Sequence, residues 1–201
     1  MRKKTSNAVR IIGGEWRSRV IRFPAAAAIR PTPDRVRETL FNWLGQDLTG
    51  RRCLDLFGGS GALGFEALSR GAAAVVMVES SRLVHRSLRT TADELGAGPR
   101  FRLVPGDALH FLASQQRGFD VVFVDPPYAS GLAVKVLERL PAALAPDAAV
   151  YVESDSSLPA GPGWRVTREG RAGAVHHWLM EWRGHDEGSL PGDVRPADPR
   201  A

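Results

Sequence analysis

Asp125-Pro126-Pro127-Tyr128 is the stretch of this chain whose residue types most directly suggest chemistry. It follows an apolar, strand-like run at 121–124. Two prolines in succession fix the backbone and remove two N–H donors. The carbonyls of Asp125 and Pro126 are therefore free to face a ligand. Acceptors so placed suit an exocyclic amine on a nucleobase, which is a poor nucleophile because its lone pair is delocalised into the ring. Holding its two hydrogens favours the pyramidal form whose lone pair can attack a methyl group. The gain is orientational and electrostatic. Tyr128 would stack on a base turned out of its helix or loop. Standing alone, Pro-Pro-Tyr is also an ordinary turn.

A second constellation supplies the context. Asp55-Leu56-Phe57-Gly58-Gly59-Ser60-Gly61 ends one apolar run and opens a helical stretch, the usual ligand position in an α/β sheet. Residues 59–64 also fit G-x-G-x-x-G, with Glu79 at the distance a dinucleotide site would want. Asp55 favours another cofactor. A carboxylate at this turn would repel a pyrophosphate but attract the ammonium and sulfonium groups of S-adenosylmethionine (SAM). No Gly-Lys-Ser/Thr is present, which excludes a P-loop. Phe57, Gly58, Gly59, Ser60 and Gly61 would line the bend, Glu79 would take both ribose hydroxyls, and Asp107 with Ala108 would meet the adenine. Each carboxylate alone could be a helix cap or a solvated loop residue. Three at successive strand ends point to one ligand. The histidines do not converge as metal ligands would, and no metal is expected.

These residues need a parallel sheet to bring them together. Apolar runs at 53–57, 74–78, 101–104, 121–124 and 148–152 alternate with helical stretches at 61–70, 81–96, 108–116 and 131–144. Runs buried on both faces and separated by helices indicate a doubly wound α/β sheet. Residues 164–168 and 175–182 read as a closing antiparallel hairpin. The fold class expected is a Rossmann-like SAM methyltransferase: a mostly parallel seven-stranded sheet with a C-terminal antiparallel hairpin. A small N-terminal hairpin and a helix precede it. Residues 9–12 and 20–23 flank Gly13-Gly14 as that hairpin, and Thr32 would cap the helix with Pro33 in its first turn. The division expected is 1–48 extension, 49–183 catalytic domain and 184–201 disordered tail, with disorder also over 1–8.

Charge separates the extension from the rest. Residues 1–37 carry ten Lys and Arg against Glu15 and Asp34, whereas the remaining residues are slightly acidic within a net charge of +5. Arginine forks onto phosphate and stacks on bases, which suits a polyanion. Arg10, Trp16, Arg17, Arg19, Arg22, Arg30, Thr32 and Arg35 are the RNA-contact candidates, although a solubility tail would share the composition. Arg30, Thr32 and Arg35 could instead meet the cofactor's carboxylate. Cys53, the single cysteine, lies within an apolar run and reads as a buried spectator. With 43% apolar residues, no membrane-length run and no signal-peptide pattern, a cytoplasmic monomer is expected.

Asp-Pro-Pro-Tyr resembles the motif of amino-group methyltransferases acting on adenine N6, cytosine N4 or guanine N2. Over about 9–182 the chain is similar to the RsmD family of 16S rRNA guanine-N2 methyltransferases. The likeness rests on Arg10-Ile11-Ile12-Gly13-Gly14-Glu15-Trp16-Arg17, on the run from Arg30-Pro31-Thr32-Pro33-Asp34-Arg35 to Trp43-Leu44, and on Gly59-Ser60-Gly61-Ala62-Leu63-Gly64. Val122-Phe123-Val124-Asp125-Pro126-Pro127-Tyr128 and Tyr151-Val152-Glu153-Ser154 complete it. The resemblance implies SAM as cofactor and Asp125, Pro126, Pro127 and Tyr128 as the catalytic stretch. It also implies one target guanine in 16S rRNA, guanine 966 in the family's nucleotide numbering, presented on the 30S subunit or an assembly intermediate. Two alternatives stand beside it: a DNA adenine-N6 methyltransferase, and a non-catalytic RNA-binding assembly factor. The first usually carries a sizeable target-recognition domain, for which this chain leaves no room; the second would favour a broken Asp-Pro-Pro-Tyr.

Overall fold

The computed structural model describes residues 6–27, 29–115, 118–127, 131–154, 161–173 and 175–184. A two-stranded antiparallel sheet comes first, with β1 (Ser6–Arg10) paired to β2 (Val20–Pro24). Residues 6–8, expected to be disordered, supply three of the five pairs of this ladder; pairing Ala8 with Arg22 orders a stretch whose own sequence shows no periodicity. Then α1 (Asp34–Trp43) leads into the main unit: β3 (Arg52–Asp55), α2 (Ala62–Ser69), β4 (Ala74–Glu79), α3 (Arg82–Leu95), β5 (Phe101–Pro105), α4 (Ala108–Ala113) and β6 (Phe119–Val124). It closes with α5 (Leu132–Arg139), β7 (Leu144–Ser154), β8 (Trp164–Ala172) and β9 (Val175–Trp182).

The seven strands lie in the order β5-β4-β3-β6-β7-β9-β8, with β9 antiparallel to both neighbours. After β3 the chain moves outward through β4 and β5, then returns to the other side of β3 as β6. That reversal opens a crevice at the carboxyl ends of β3 and β6. Alternation along each strand sorts side chains to the two faces. Cys53, Val121, Phe123 and Tyr151 join one core cluster, whereas Leu54, Val122, Val124, Val150 and Val152 join the other.

Helix boundaries follow local chemistry. In α3 the buried residues Val84, Leu88, Thr91, Ala92 and Leu95 keep helical spacing, Ser81 caps the start, and Gly96 ends it in the left-handed region. Two expectations need correction. The helical stretch 131–144 stops at Arg139 and continues as a 3₁₀ turn, Leu140–Ala143, where Pro141 cannot donate to an α-helical ladder. Thr32 is not the cap of α1: Pro33 holds that position without a side-chain bond, and the helix begins at Asp34. The Thr32 hydroxyl points elsewhere.

The N-terminal extension shares the core of the sheet's first face, burying Val9, Ile11, Trp16, Ile21, Phe23, Leu40 and Phe41 in it. Glu66 on α2 anchors it, accepting from the backbone N–H of Ile12 at 2.9 Å and of Gly13 at 2.8 Å. Among the described residues no helix is long and apolar enough to cross a membrane. Apart from Gly184, the expected tail lies outside the described residues.

Candidate active site

A cleft of about 460 Å³ opens at the carboxyl ends of β3, β4 and β6. Asp55, Phe57, Gly58, Gly59, Ser60, Glu79, Asp107, Ala108, Asp125, Pro126 and Pro127 line it, as do Arg30 and Thr32 of the extension. The sheet thus gathers nearly every cofactor and catalytic residue proposed from the sequence. Gly61 does not line the cleft but shapes it. It stands at φ 80° as the cap of α2, and a Cβ there would meet the Phe65 ring at 2.5 Å. Only glycine fits. Tyr128 lies outside the described residues.

The carboxylates are held in different ways. Asp55 is buried and accepts from Phe57 N–H at 3.3 Å and Gly64 N–H at 3.2 Å. Burial pushes its carboxyl up to about 7 against those two bonds, with the Glu79 charge adding to the rise. Glu79 accepts from Gly59 N–H at 2.9 Å and Ser81 N–H at 2.7 Å, so it ties the glycine turn to the end of β4. Asp107 is exposed and caps α4, with one oxygen accepting from Leu109 and His110 N–H. Among the described residues its second oxygen has no hydrogen-bond donor.

Asp125 directly follows β6, and its Oδ2 accepts from the Thr32 hydroxyl at 3.4 Å. Burial first, then the charges of Glu153 and Asp55, push the Asp125 carboxyl well above its ordinary range. Among the described residues none of Asp55, Asp125 and Glu153 has an ion-pair partner. A wall of uncompensated buried carboxyls repels anions and favours a cationic ligand. The sulfonium and ammonium groups of SAM fit the Asp55 end of that wall, beside the glycine turn, and Glu79 and Asp107 stand at the edge where a ribose and an amino-bearing ring would follow. Among the described residues no group of three or more His, Cys, Asp or Glu could hold a metal ion. Burial raises the Cys53 thiol to about 12, which removes it as a nucleophile.

The family described as "Conserved hypothetical protein 95" matches residues 9–181. The "Ribosomal RNA small subunit methyltransferase D" of Escherichia coli (strain K12) is 44% identical over 181 residues, covering 88% of this chain and 91% of that protein. The protein of the same name in Haemophilus influenzae is 38% identical over 188 residues, covering 89% and 97%. Among solved structures, "Putative methyltransferase yhhF from Escherichia coli" superposes with a TM-score of 0.79 at 42% identity, covering 88% of this chain and 99% of that one. The chain belongs to the RsmD family.

In this RsmD-family member two of the sequence-based RNA candidates have other roles. Trp16, expected as an RNA platform, is 5% exposed; its backbone N–H donates to Ser69 Oγ and the Arg100 guanidinium covers its ring at 5.6 Å. No base can stack there, and Trp16 is a core residue. Thr32, expected as an RNA or cofactor contact, is also 5% exposed, too buried to meet an RNA phosphate at the surface; it lines the cleft with its hydroxyl bonded to Asp125. Arg10, Arg17, Arg19, Arg22, Arg30 and Arg35 are exposed as expected. Of these only Arg30 reaches the cleft, and Arg19 already donates to the Glu94 carbonyl at 2.9 Å.

Sequence reasoning misses Glu153, although it sits 4% exposed beside Asp125. The signal is there: like Asp125, it is an acid at the end of an apolar strand run. The Tyr151 hydroxyl donates to its Oε1 at 2.8 Å.

Proposed function

We propose that this RsmD-family chain transfers the methyl group of SAM to the exocyclic N2 of one guanine in small-subunit rRNA, guanine 966 in the family's nucleotide numbering. The rRNA methyltransferase activity follows from family membership. The choice of base rests mainly on Asp125, a carboxyl lining the cleft at the end of β6 beside the carboxylate wall. Guanine presents two neighbouring donors, N1–H and N2–H, which one carboxylate can accept together. Adenine presents an acceptor at N1, so the same carboxylate would face a lone pair.

SAM supplies a methyl group already activated by its sulfonium. The chain's residues supply position and charge. Asp55 meets the cationic part of the cofactor, Glu79 the ribose hydroxyls, and Asp107 the adenine amino group. Asp125 and the Pro126 carbonyl hold the two hydrogens of the guanine amine, which directs its lone pair at the methyl carbon. Tyr128 is assigned base stacking from its place after Pro127. Once the new C–N bond forms, the nitrogen must shed a proton, and Asp125 is the acceptor in contact with it. The exposed arginines of the extension bind rRNA phosphate, with the 30S subunit or an assembly intermediate as substrate and the protein acting as a monomer.

Incubation of defined rRNA, assembled-subunit and DNA substrates with methyl-labelled SAM, followed by nucleoside identification, tests the reading. N2-methylguanosine at one site supports it. N6-methyladenine in DNA would replace it with the rival enzyme, and no transfer to any substrate would favour a binding factor.

A further inference from the structure

Asp125 does not stand alone in the floor of the cleft. On the same face of the sheet, Glu153 follows one residue beyond the last register pair of β6 and β7, Val124 with Val152. The Thr32 hydroxyl donates to Asp125 at 3.4 Å and is close enough to Glu153 to act on its carboxyl as well. A hydroxyl has one proton to give. If Thr32 donates to one carboxyl, its contact with the other is a hydrogen bond only when that second carboxyl is itself protonated. Burial raises both carboxyls, with the Tyr151 and Thr32 bonds opposing the rise at Glu153.

The surroundings do not neutralise the pair. Asp55 on β3 adds a further carboxyl. His177 on β9, opposite Glu153 in the ladder, is held towards its neutral form by burial and by His176. Arg37 on α1 spends its Nε on the Thr32 carbonyl at 3.3 Å and its remaining nitrogens on Glu66, Asp34 and the Arg10 carbonyl. Two ionised carboxylates a hydroxyl apart, both buried, would repel one another without compensation.

We propose that Asp125 and Glu153 hold one proton between them, exchanged through the Thr32 hydroxyl, and that Glu153 carries it whenever Asp125 accepts from the target amine. The exchange balances internally. The Asp125 proton passes to Thr32 Oγ1 while the Thr32 hydroxyl proton passes to Glu153, so one proton changes carboxyl and none enters or leaves. Glu153 is a positioning residue: it takes the proton that Asp125 gives up, so that Asp125 is the ionised acceptor of the pair. The proposal rests on Asp125 being the amine acceptor.

Infrared spectroscopy of the SAM-bound protein without RNA tests it. The wild type at neutral pH should show the C=O stretch of a protonated carboxyl, and Glu153→Gln, whose amide imitates the protonated acid, should lose it. Thr32→Val, nearly the same in shape, should move the band to higher frequency because the acid loses its hydrogen-bond partner. A wild type without the band overturns the proposal. So does a band that persists in folded Glu153→Gln, or one unmoved in Thr32→Val; the latter decides the matter if the Gln variant does not fold. Because the infrared readout uses no RNA, failure of the guanine assignment would leave it unchanged and is separately visible.

Discussion

Arg37 and Glu66 form an ion pair at 3.0 Å in which both side chains are fully buried. Each is saturated by other groups: Glu66 accepts from Ile12, Gly13 and Arg70, and Arg37 donates to Thr32, Arg10 and Asp34. One pair therefore binds the hairpin, the segment before α1 and α2 into one body. Removing one partner leaves a buried charge and several orphaned donors. Arg37→Met should cost about 3–5 kcal/mol, measured as a fall in the denaturant midpoint. A loss below about 1 kcal/mol would be within the range of an exposed pair and would contradict this account.

Asp55 links pH to both stability and binding. Its folded value, about 7, lies above its ordinary value, so the folded chain binds more protons than the unfolded chain between the two. The stability this proton confers is complete in acid and is lost as pH rises through 7. Asp55→Asn should therefore raise Tm at about pH 8 and leave it nearly unchanged near pH 4. The same variant should weaken SAM binding. Wild-type affinity should climb by up to about tenfold per pH unit on approaching 7 from below, as the carboxylate ionises to meet the cation. Calorimetric titration across pH should show a flat profile in the variant; a sloped one would mean that another group is responsible.

Glu79→Ala removes acceptors from the ribose and also frees the Gly59 and Ser81 N–H groups that hold the turn. Charge-assisted bonds of this kind contribute about 1.5–3 kcal/mol each. SAM binding should weaken at least tenfold, read by calorimetry on a variant shown to be folded. An unchanged Kd would take Glu79 out of the cofactor site.

Asp125→Ala should abolish methyl transfer while SAM affinity stays within a few-fold, because Asp125 addresses the amine rather than the cofactor. Single-turnover transfer from prebound labelled SAM separates the two effects. Near-normal transfer would end the assigned role.

Arg10, Arg17, Arg19 and Arg22 are exposed, so neutralising them should spare the core, whereas deleting the hairpin would remove buried Val9, Ile11, Trp16 and Ile21. If they hold phosphate, the quadruple glutamine variant should bind the rRNA substrate more weakly and with a flatter salt dependence. On single-stranded RNA the slope of log K against log salt shrinks by about 0.7 for each phosphate that is no longer neutralised. Equal affinity and slope across a salt series would mark the arm as a solubility device.

Read without coordinates, the chain already specifies the parallel sheet, the glycine turn after Asp55, the acids at the strand ends and the Asp125-Pro126-Pro127 corner. These are local signals: apolar runs of strand length, turn residues with a fixed backbone role, and charge at the junctions. The resemblance in the N-terminal stretches adds the family. The roles of Trp16, Thr32, Arg37 and Glu153 emerge only from the folded packing. Trp16 among arginines reads as surface until the hairpin is seen packed on α2. Thr32 before Pro33 reads as a cap until the segment is seen crossing the end of β6. Glu153 becomes part of the site because β7 pairs with β6 in the register that sets Val124 beside Val152. Strand register and the docking of an extension depend on contacts between residues far apart in the chain, and neither composition nor periodicity records which partner a buried polar side chain will meet.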